Sequence, residues 1–280
     1  MLICDAHTYK DGTIDFTKLN LLRIPLRLGF DVFRFGKISA EKRQMIIDSM
    51  IAYKQLYKIY KVEDWVICAT SAMRDAANSR DIILSVQEET GIHIDILSGA
   101  EEASVLYEAH IERQSEEDGV SMYIDVGGGS TELTLFQNNK LIKKQSFDIG
   151  TIRILTDNVH EDEWSALRTY AKDIQKTHSH LKLIGTGGNI NKVFSLSKTK
   201  EGKPLNIELI KDYYRELAAT TLDERMHLYG LREDRADVIV PALQIYSSIM
   251  KWSGVSDIYV PKIGLADGLV RNLYQKHLLQ

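Results

Sequence analysis

The chain has 280 residues, which suits one large domain or, more typically, two domains of about 140 residues each. Its composition of 44% hydrophobic and 26% charged residues, with only 4 prolines, is that of a globular protein and excludes disordered and collagen-like chains. The net charge of -4 provides no overall basic field, so neither a nucleic acid nor a membrane is expected as a partner. Any polyanion would have to be bound by a local site.

Both cysteines, Cys4 and Cys68, lie within apolar runs, a position typical of reduced thiols in a protein core. Since reduced cysteines are typical of the cytosol, we expect a cytoplasmic protein. No apolar run approaches the roughly 20 residues that a membrane-spanning helix requires, so no such helix is expected.

The first half of the chain alternates strand and helix patterns. Residues 1–29 predict a short strand, a turn at Asp11-Gly12 and two further strands. A long amphipathic helix with Ser39 as its N-cap is expected at residues 39–60. The elements expected after it are a strand, a helix, a strand and a helix, at residues 64–70, 79–91, 92–99 and 100–113. This alternation predicts an α/β sheet.

A polar stretch at residues 114–121 predicts a domain boundary. After it, the pattern predicts three strands with a glycine turn and a hairpin, then helices that enclose a further strand and glycine turn at residues 181–189, and a closing helix at 265–278. We therefore predict one domain at residues 1–115 and a second at 116–265. The closing helix at 266–280 could pack back on the first domain.

The two halves repeat each other. In both, a run of strands ends in an apolar residue and a glycine, at Leu28-Gly29 and at Ile149-Gly150, and a helix follows. The second copy begins with a complete strand and glycine turn at residues 123–130. The first copy begins at the strand that corresponds to residues 133–136, so the strand and turn that should precede it are missing from its start.

The strongest chemical signal is a glycine-rich run between two predicted strands. Successive glycines let the backbone approach a bulky anion and direct several N–H groups at it, and neighbouring hydroxyls add donors. The predicted phosphate-binding residues are Gly127, Gly128, Gly129, Ser130 and Thr131. Asp125 and Glu132 flank the run and could hold Mg²⁺, which prefers oxygen ligands. The alternative is a tight β-turn with an outward-facing Asp125.

A second glycine turn also follows a strand and opens a helix, whose N-terminus favours anions. Its residues are Gly185, Thr186, Gly187, Gly188 and Asn189. A glycine cap or a packing turn would explain it equally well. Together with the first turn, it favours a ligand with several phosphates.

Two further segments carry charged residues near strand ends. Glu101 and Glu102 lie in the first turn of a predicted helix, where carboxylates often cap the helix dipole. One of them could instead deprotonate an attacking water. Arg74 could clamp an anion, or form a salt bridge with Asp75 or Asp81.

Five motifs in this order, ATSAMRDAAN, SGAEEA, IDVGGGSTEL, IGTGGN and DRADVIVPAL, resemble the exopolyphosphatase and guanosine pentaphosphate phosphatase (Ppx/GppA) family over nearly the whole chain. The resemblance implies a duplicated α/β fold like that of actin, sugar kinases and heat-shock ATPases. Each of its two ribonuclease H-like domains has a five-stranded sheet, and the active site lies in the interdomain cleft. It implies Glu102 as catalytic base, Arg74 as a substrate contact, and Asp125 and Glu132 as residues facing metal or phosphate. Residues 127–130 and 185–189 would form the phosphate turn and the nucleotide-type turn.

The sequence departs from the family pattern at its start. Family members begin with a strand and an Asp-x-Gly-Ser-Asn turn, whereas Met1-Leu2-Ile3 matches the strand that follows that turn. The difference corresponds to roughly fifteen residues, one strand and its turn. Either the true start lies upstream, or the protein is catalytically impaired. The length also implies a short form without the large C-terminal helical domain of long members.

These features favour a Mg²⁺-dependent hydrolase that removes terminal phosphate from inorganic polyphosphate or from guanosine pentaphosphate, with water activated by Glu102. A non-enzymatic phosphate or nucleotide sensor is one alternative, and an ATP-dependent kinase on the same fold is another. The choice between the two substrates stays open. So does the oligomeric state, for which a homodimer is considered.

Overall fold

The computed structural model describes residues 1–11, 13–102, 104–105, 119–138, 140–178, 180–261 and 264–278. The chain divides into two compact units. Unit 1 combines Met1–His110 with Gly264–Gln280, and unit 2 spans Ile111–Ile263. Among the described residues, no helix combines the length and the apolar character that crossing a bilayer requires.

Unit 1 opens with an antiparallel hairpin of strands β1 (Leu2–Thr8) and β2 (Ile14–Leu21). The third strand expected before residue 29 does not form, because Pro25 has no N–H to donate to a sheet. Helix α1 (Leu28–Phe35) starts there instead, after Arg27 in the left-handed conformation with φ 52°.

The remaining elements of unit 1 are mainly helical. The predicted N-cap of helix α2 (Ala40–Tyr60) is confirmed, since the Ser39 hydroxyl accepts a hydrogen bond from the Lys42 N–H. The predicted end of α4 at Gly91 is also confirmed, with φ 72°. Residues 99–102 are helical. Unit 1 also contains the helices α2 (Ala40–Tyr60), α3 (Ser71–Asp75), α4 (Ser79–Thr90) and the C-terminal α12 (Leu265–Leu278).

The other two strands of unit 1, β3 (Cys68–Ala69) and β4 (Asp95–Ile96), pair in parallel. The expected five-stranded sheet is thus absent from the described part of unit 1, which contains two separate two-stranded pairs. Among the described residues, β1 is bonded only to β2, and β3 only to β4.

Unit 2 contains a six-stranded mixed sheet with the order β7-β6-β5-β8-β10-β9. β5, β6 and β7 are antiparallel neighbours, whereas β5, β8 and β10 run parallel. Its strands are β5 (Val120–Val126), β6 (Thr131–Gln137), β7 (Lys140–Phe147), β8 (Leu181–Thr186), β9 (Leu205–Asn206) and β10 (Asp257–Tyr259).

Helices cover this sheet and form the larger core. Helix α11 (Ile239–Ser253) buries most of its residues against α6 (Glu161–Thr177), α8 (Ile207–Ala218) and the sheet. Ile124 of β5 and Leu183 of β8 are fully buried. Because central strands are held from both faces, the turns that follow β5 and β8 start from fixed positions. The helices of unit 2 are α5 (Thr151–Leu155), α6 (Glu161–Thr177), α7 (Gly188–Leu196), α8 (Ile207–Ala218), α9 (Leu222–Tyr229), α10 (Glu233–Ala236) and α11 (Ile239–Ser253).

Candidate functional site

Four polar residues form a row across neighbouring strands of unit 2. Ser146 of β7 pairs with Glu132 of β6, Glu132 pairs with Asp125 of β5, and Asp125 pairs with Thr186 of β8. Directly paired residues project from the same face of a sheet, with Cβ atoms about 5 Å apart. The row therefore brings two carboxylates together at the ends of β5 and β8, where the two glycine turns begin.

Each carboxylate in the row has a defined environment. Glu132 is buried, and its Oε1 accepts hydrogen bonds from the Ser130 hydroxyl at 2.6 Å and the Ser146 hydroxyl at 3.0 Å. Asp125 keeps some surface exposure as a residue, but its carboxyl is desolvated. This desolvation, followed by repulsion from Glu132, raises the pKa of Asp125 to about 6. The site is thus an acidic pair that a cation would stabilise.

The first glycine turn is held on its carbonyl side by the segment that follows β7. The N–H groups of Thr151 and Ile152 donate to the carbonyls of Gly127 and Gly128, at 3.0 and 2.8 Å. A Cβ on Gly150 would lie 2.3 Å from the carbonyl oxygen of Gly128, so only glycine fits at position 150. The backbone after β7 therefore fixes the turn.

The amide groups of the same turn have fewer partners than its carbonyls. The turn closes through the Gly127 N–H, which donates to the Ser130 carbonyl at 2.9 Å, and Arg153 Nε donates to the Gly129 carbonyl at 2.7 Å. In the part of the chain that the structure describes, the N–H groups of Gly128 and Gly129 have no hydrogen-bond acceptor. Two adjacent backbone donors can therefore bind an anion.

Like Ser130, whose hydroxyl donates to Glu132, Thr131 uses its hydroxyl within the protein. It is fully buried, and its hydroxyl donates to the carbonyl of Ile149 at 2.6 Å. Since this hydroxyl already donates to a backbone carbonyl, we assign Thr131 a structural role in place of the predicted phosphate contact.

The second glycine turn meets the first. Gly187 has φ 99°, and a Cβ placed on it would lie 3.0 Å from Oδ1 of Asp125. The buried Tyr246 hydroxyl donates to the carbonyl of Thr186, which holds the start of this turn. Burial, and then the nearby Asp125, keep the pKa of Tyr246 well above its usual range, so the hydroxyl remains a donor. The second turn is therefore packed directly against the acidic pair.

Arg235 completes the surroundings of the second turn. Its Nη1 donates to Oδ1 of Asn189 at 3.0 Å, and a Cβ on Gly188 would lie 2.3 Å from the same nitrogen. The guanidinium thus lies over the N-terminus of α7. Gly185, at the end of β8, packs against Ile258 and has no open surface for a ligand, since a Cβ there would lie 2.9 Å from the Ile258 side chain.

The two glutamates of the SGAEEA segment have different roles in unit 1. Glu101 caps its helix: its carboxylate accepts from the Ser98 N–H at 2.8 Å, and its own N–H donates to the Ser98 hydroxyl at 3.2 Å. These hydrogen bonds lower the pKa of Glu101. The Glu102 side chain does not form this capping box, and its N–H donates to the Ser98 carbonyl at 3.0 Å. Ser98 and Glu101 thus form the capping box of this helix.

Arg74 lies close to the same segment. Its Nη1 donates to the carbonyl of Leu97 at 2.8 Å, directly before Ser98. The parallel pairing of β3 and β4 explains this proximity, because the carboxyl ends of parallel strands meet at one edge. Unit 1 therefore groups Arg74 and the segment at residues 98–102.

The structure thus gathers the predicted residues into two groups, one in each unit. In unit 2, Asp125, Glu132 and both glycine turns lie together. In unit 1, Arg74 lies beside the segment that contains Glu102. Among the described residues, no group of three or more His, Cys, Asp or Glu side chains could hold a metal ion by itself. A metal at Asp125 and Glu132 would need further ligands from water or substrate, which is usual for Mg²⁺.

Sequence reasoning did not find several residues that shape this site. Gly150, Ser146, Tyr246 and Arg235 reach the turns from distant positions in the chain. A weak signal existed for Gly150, which occupies the repeat position of Gly29, and for Arg235, which lies in the DRADVIVPAL motif. Ser146 and Tyr246 have no local signature.

Comparison with known proteins identifies the class. Residues 9–277 match the Ppx/GppA phosphatase family. The chain is 22% identical to exopolyphosphatase 2 of Mycobacterium tuberculosis over 283 residues, covering 89% of this chain and 86% of that protein. It is 27% identical over 262 residues to a bifunctional 3-dehydroquinate synthase/phosphatase of Fusobacterium nucleatum, covering 84% of this chain but only 39% of that longer protein.

Solved structures agree on the fold. An exopolyphosphatase from Cytophaga hutchinsonii superposes with a TM-score of 0.81 at 22% identity, over 98% of this chain and 94% of that one. The Aquifex aeolicus member of the Ppx/GppA family superposes with a TM-score of 0.71 at 23% identity, over 96% and 92%.

The chain belongs to the Ppx/GppA phosphatase family. The resemblance and the α/β fold class predicted from the sequence are thereby confirmed. So is the predicted class of enzyme, a phosphoric anhydride hydrolase, at the level of the family.

Proposed function

We propose that this protein is a Mg²⁺-dependent exopolyphosphatase that hydrolyses the terminal phosphate of inorganic polyphosphate. One observation carries the proposal: the acidic pair Asp125–Glu132 adjoins a glycine turn in which the Gly128 and Gly129 N–H groups have no acceptor among the described residues. The names of several relatives, including those from Mycobacterium tuberculosis and Haemophilus influenzae, support polyphosphate as the substrate.

Phosphate binding would use backbone groups more than charged side chains. The Gly128 and Gly129 amides would donate to oxygens of a bound phosphate, and the second turn lies next to them through Gly187. Donors that are fixed before the substrate arrives stabilise charge on a transferring phosphoryl group without reorganisation. Two adjacent turns suit a substrate that carries several phosphates.

The acidic pair supports the proposed requirement for a cation. Asp125 and Glu132 would repel a phosphate chain unless a positive charge lies between them and the substrate. Two carboxylates are a suitable partial ligand set for Mg²⁺, which usually takes its other ligands from water and phosphate oxygens. When bound, Mg²⁺ would neutralise charge on the phosphoryl oxygens. Ser130 and Ser146 both bind Oε1 of Glu132 and so hold this carboxylate in place.

We propose Glu102 as the base that accepts a proton from the attacking water. Its neighbour Glu101 already serves as the helix cap, which argues against a capping role for Glu102. A carboxylate is an adequate base here because the bond to the leaving phosphate weakens early in phosphoryl transfer. Arg74 is proposed as a substrate contact from its place beside residues 98–102.

The substrate can be tested with the purified chain. Phosphate release from long-chain polyphosphate and from guanosine pentaphosphate is measured in Mg²⁺ and in EDTA. We expect Mg²⁺-dependent release, with a higher kcat/KM for polyphosphate. A higher kcat/KM for guanosine pentaphosphate would overturn the assignment of substrate. Tight polyphosphate binding without release would favour a sensor, and transfer of phosphate from ATP to an acceptor would favour a kinase.

A further inference from the structure

Helix α12 packs against the helix that contains Glu102 at a glycine. Residues 99–102 and 104–105 are helical, and we call this segment the Glu102 helix. A Cβ placed on Gly268 of α12 would lie 2.1 Å from the carbonyl oxygen of Val105 and 2.7 Å from its Cγ1. Both distances are far shorter than van der Waals contact, so only glycine fits at position 268. The two helix backbones therefore meet directly, about one turn after Glu102.

The hairpin β1–β2 holds α12 in place. Asp267 Oδ1 forms a salt bridge with Lys18 Nζ of β2 at 2.5 Å, and Asp267 Oδ2 accepts a hydrogen bond from the Gly264 N–H at 2.9 Å. The hydroxyls of Tyr274 on α12 and Thr8 on β1 are hydrogen-bonded at 2.7 Å. Asp267 and Tyr274 are two turns apart and so lie on one face of the helix. Helix α12 therefore meets the Glu102 helix from a fixed position.

The Glu102 helix is also held at its start. Ser98 and Glu101 form its capping box, and the Glu102 N–H donates to the Ser98 carbonyl at 3.0 Å. Val105, at the contact with Gly268, is buried. Glu102 thus lies between two fixed points, the capping box and the contact at Val105. Because protein interiors are close-packed, an added group at that contact has to move the helix.

We propose that Gly268 is a positioning residue for Glu102, because its close contact with Val105 sets the place from which the Glu102 carboxylate acts. This inference rests on the proposed function, in which Glu102 accepts a proton from the attacking water. A base must lie within hydrogen-bond reach of the proton that it accepts. A misplacement of about 1 Å can lower a rate roughly 10²-fold. Gly268 has no side chain that could reach a substrate, so it acts through the helix contact.

Two variants change this contact, and a third is the control. Gly268→Ala adds a methyl group that the Val105 carbonyl leaves no room for. Val105→Ala loosens the same contact from the other helix, and it provides the test if Gly268→Ala does not fold. The control is Gly91→Ala at the end of α4, where a φ of 72° is strained for alanine and a Cβ would lie at an ordinary 3.8 Å from Lys54 Nζ. All variants are made in the intact chain.

Phosphate release from polyphosphate tests whether Gly268 acts through Glu102. We expect Gly268→Ala to lower kcat about 10- to 100-fold and to leave KM within about twofold, with Val105→Ala changing kcat in the same direction. Combined with Glu102→Gln, Gly268→Ala should cause no further loss, because a displaced base and an absent base are equivalent. An equal fold-loss in the parent and in Glu102→Gln would overturn the proposal. A parent-like kcat in both Gly268→Ala and Val105→Ala would also overturn it.

Hydrogen exchange at the Glu102 amide tests the helix contact without any assay of activity. We expect exchange about tenfold faster in Gly268→Ala than in the parent, and unchanged exchange in Gly91→Ala. Unchanged exchange in Gly268→Ala, or equal acceleration in both variants, would overturn the inference even in an active enzyme. Faster exchange in Gly268→Ala alone, together with release by Glu102→Gln at the rate of the parent, would instead refute Glu102 as the base, and the positioning role would be refuted with it. The two kinds of failure are therefore distinguishable.

Discussion

Asp125 and Glu132 are directly paired residues of neighbouring antiparallel strands, and they flank the same glycine turn. Like charges in this position are unfavourable in the absence of a cation. Desolvation, and then the Glu132 charge, raise the pKa of Asp125 to about 6, while Lys144 and a hydrogen bond with Thr186 oppose the shift. In the proposed function, that cost is offset when a cation binds beside the phosphate.

We predict that Asp125→Asn stabilises the metal-free protein at pH 7.5 and abolishes activity. The pKa of Asp125 is about 6 in the folded protein and 3.8 in an unfolded chain, so protonation of this carboxyl favours the folded state. That stabilisation is complete below pH 3.8 and is lost as the pH rises through about 6. Removing the charge should then add about 1–3 kcal/mol to the free energy of unfolding at pH 7.5 in EDTA. The gain should shrink steadily as the pH falls to 4. Urea unfolding at several pH values measures it, and a variant destabilised at pH 7.5 would contradict the account.

We predict that Mg²⁺ raises the melting temperature of the parent and of Asp48→Asn, but not that of Asp125→Asn or Glu132→Gln. A ligand that binds only the folded state stabilises it in proportion to the logarithm of its concentration over its Kd. Asp48 is an exposed carboxylate on α2 and serves as the matched control. Melting curves are recorded in EDTA and in Mg²⁺ at on the order of 10 mM, a concentration expected to saturate the site. Equal shifts in all four proteins would show that Asp125 and Glu132 do not hold the ion.

We predict that Gly150→Ala disrupts the first glycine turn. The added methyl group would meet the Gly128 carbonyl at 2.3 Å, so the backbone must move. Such overpacking typically costs about 1–3 kcal/mol, and displacing the Gly128 and Gly129 donors should lower kcat/KM roughly 10²-fold. The control is Gly119→Ala, where a Cβ meets nothing within 4 Å. Similar activity in the two variants would argue against the turn as the phosphate site.

We predict that Tyr246→Phe weakens the second turn. The change removes the hydroxyl that donates to the Thr186 carbonyl and leaves that buried acceptor without its donor. The expected cost is about 1–3 kcal/mol in the free energy of unfolding, with an increase in KM for polyphosphate because the turn lies beside Asp125. Tyr259→Phe, on β10 of the same sheet, serves as the control. An unchanged KM together with the loss of stability would restrict Tyr246 to a packing role.

The parts of the fold that sequence reasoning predicted correctly depend on local signals. The Ser39 cap, the Gly91 helix end and the glycine run after β5 are each encoded within a few residues. The contacts that it missed join distant segments. Gly150 closes on Gly128 across 22 positions, and Tyr246 reaches Thr186 across 60. Such contacts depend on how strands and helices pack, which a single sequence does not show.

The choice between Glu101 and Glu102 illustrates the same limit within two residues. Both lie in the first turn of a helix, and either could cap it. Only the three-dimensional structure shows that Ser98 bonds reciprocally with Glu101. The absence of a third strand before residue 29 is a different case, because Pro25 was visible in the sequence and argued against that strand.

The central claim is that Glu102 acts as the base in hydrolysis of polyphosphate, and Glu101 provides a matched control one residue away. The most direct measurement compares the parent, Glu102→Gln and Glu101→Gln for polyphosphate binding and for Mg²⁺-dependent phosphate release. We predict that Glu102→Gln binds polyphosphate as the parent does but releases phosphate on the order of 10²–10⁴-fold more slowly, whereas Glu101→Gln loses stability and keeps most of its kcat. Release by Glu102→Gln at the rate of the parent, or a parent that binds polyphosphate without releasing phosphate, would contradict the account.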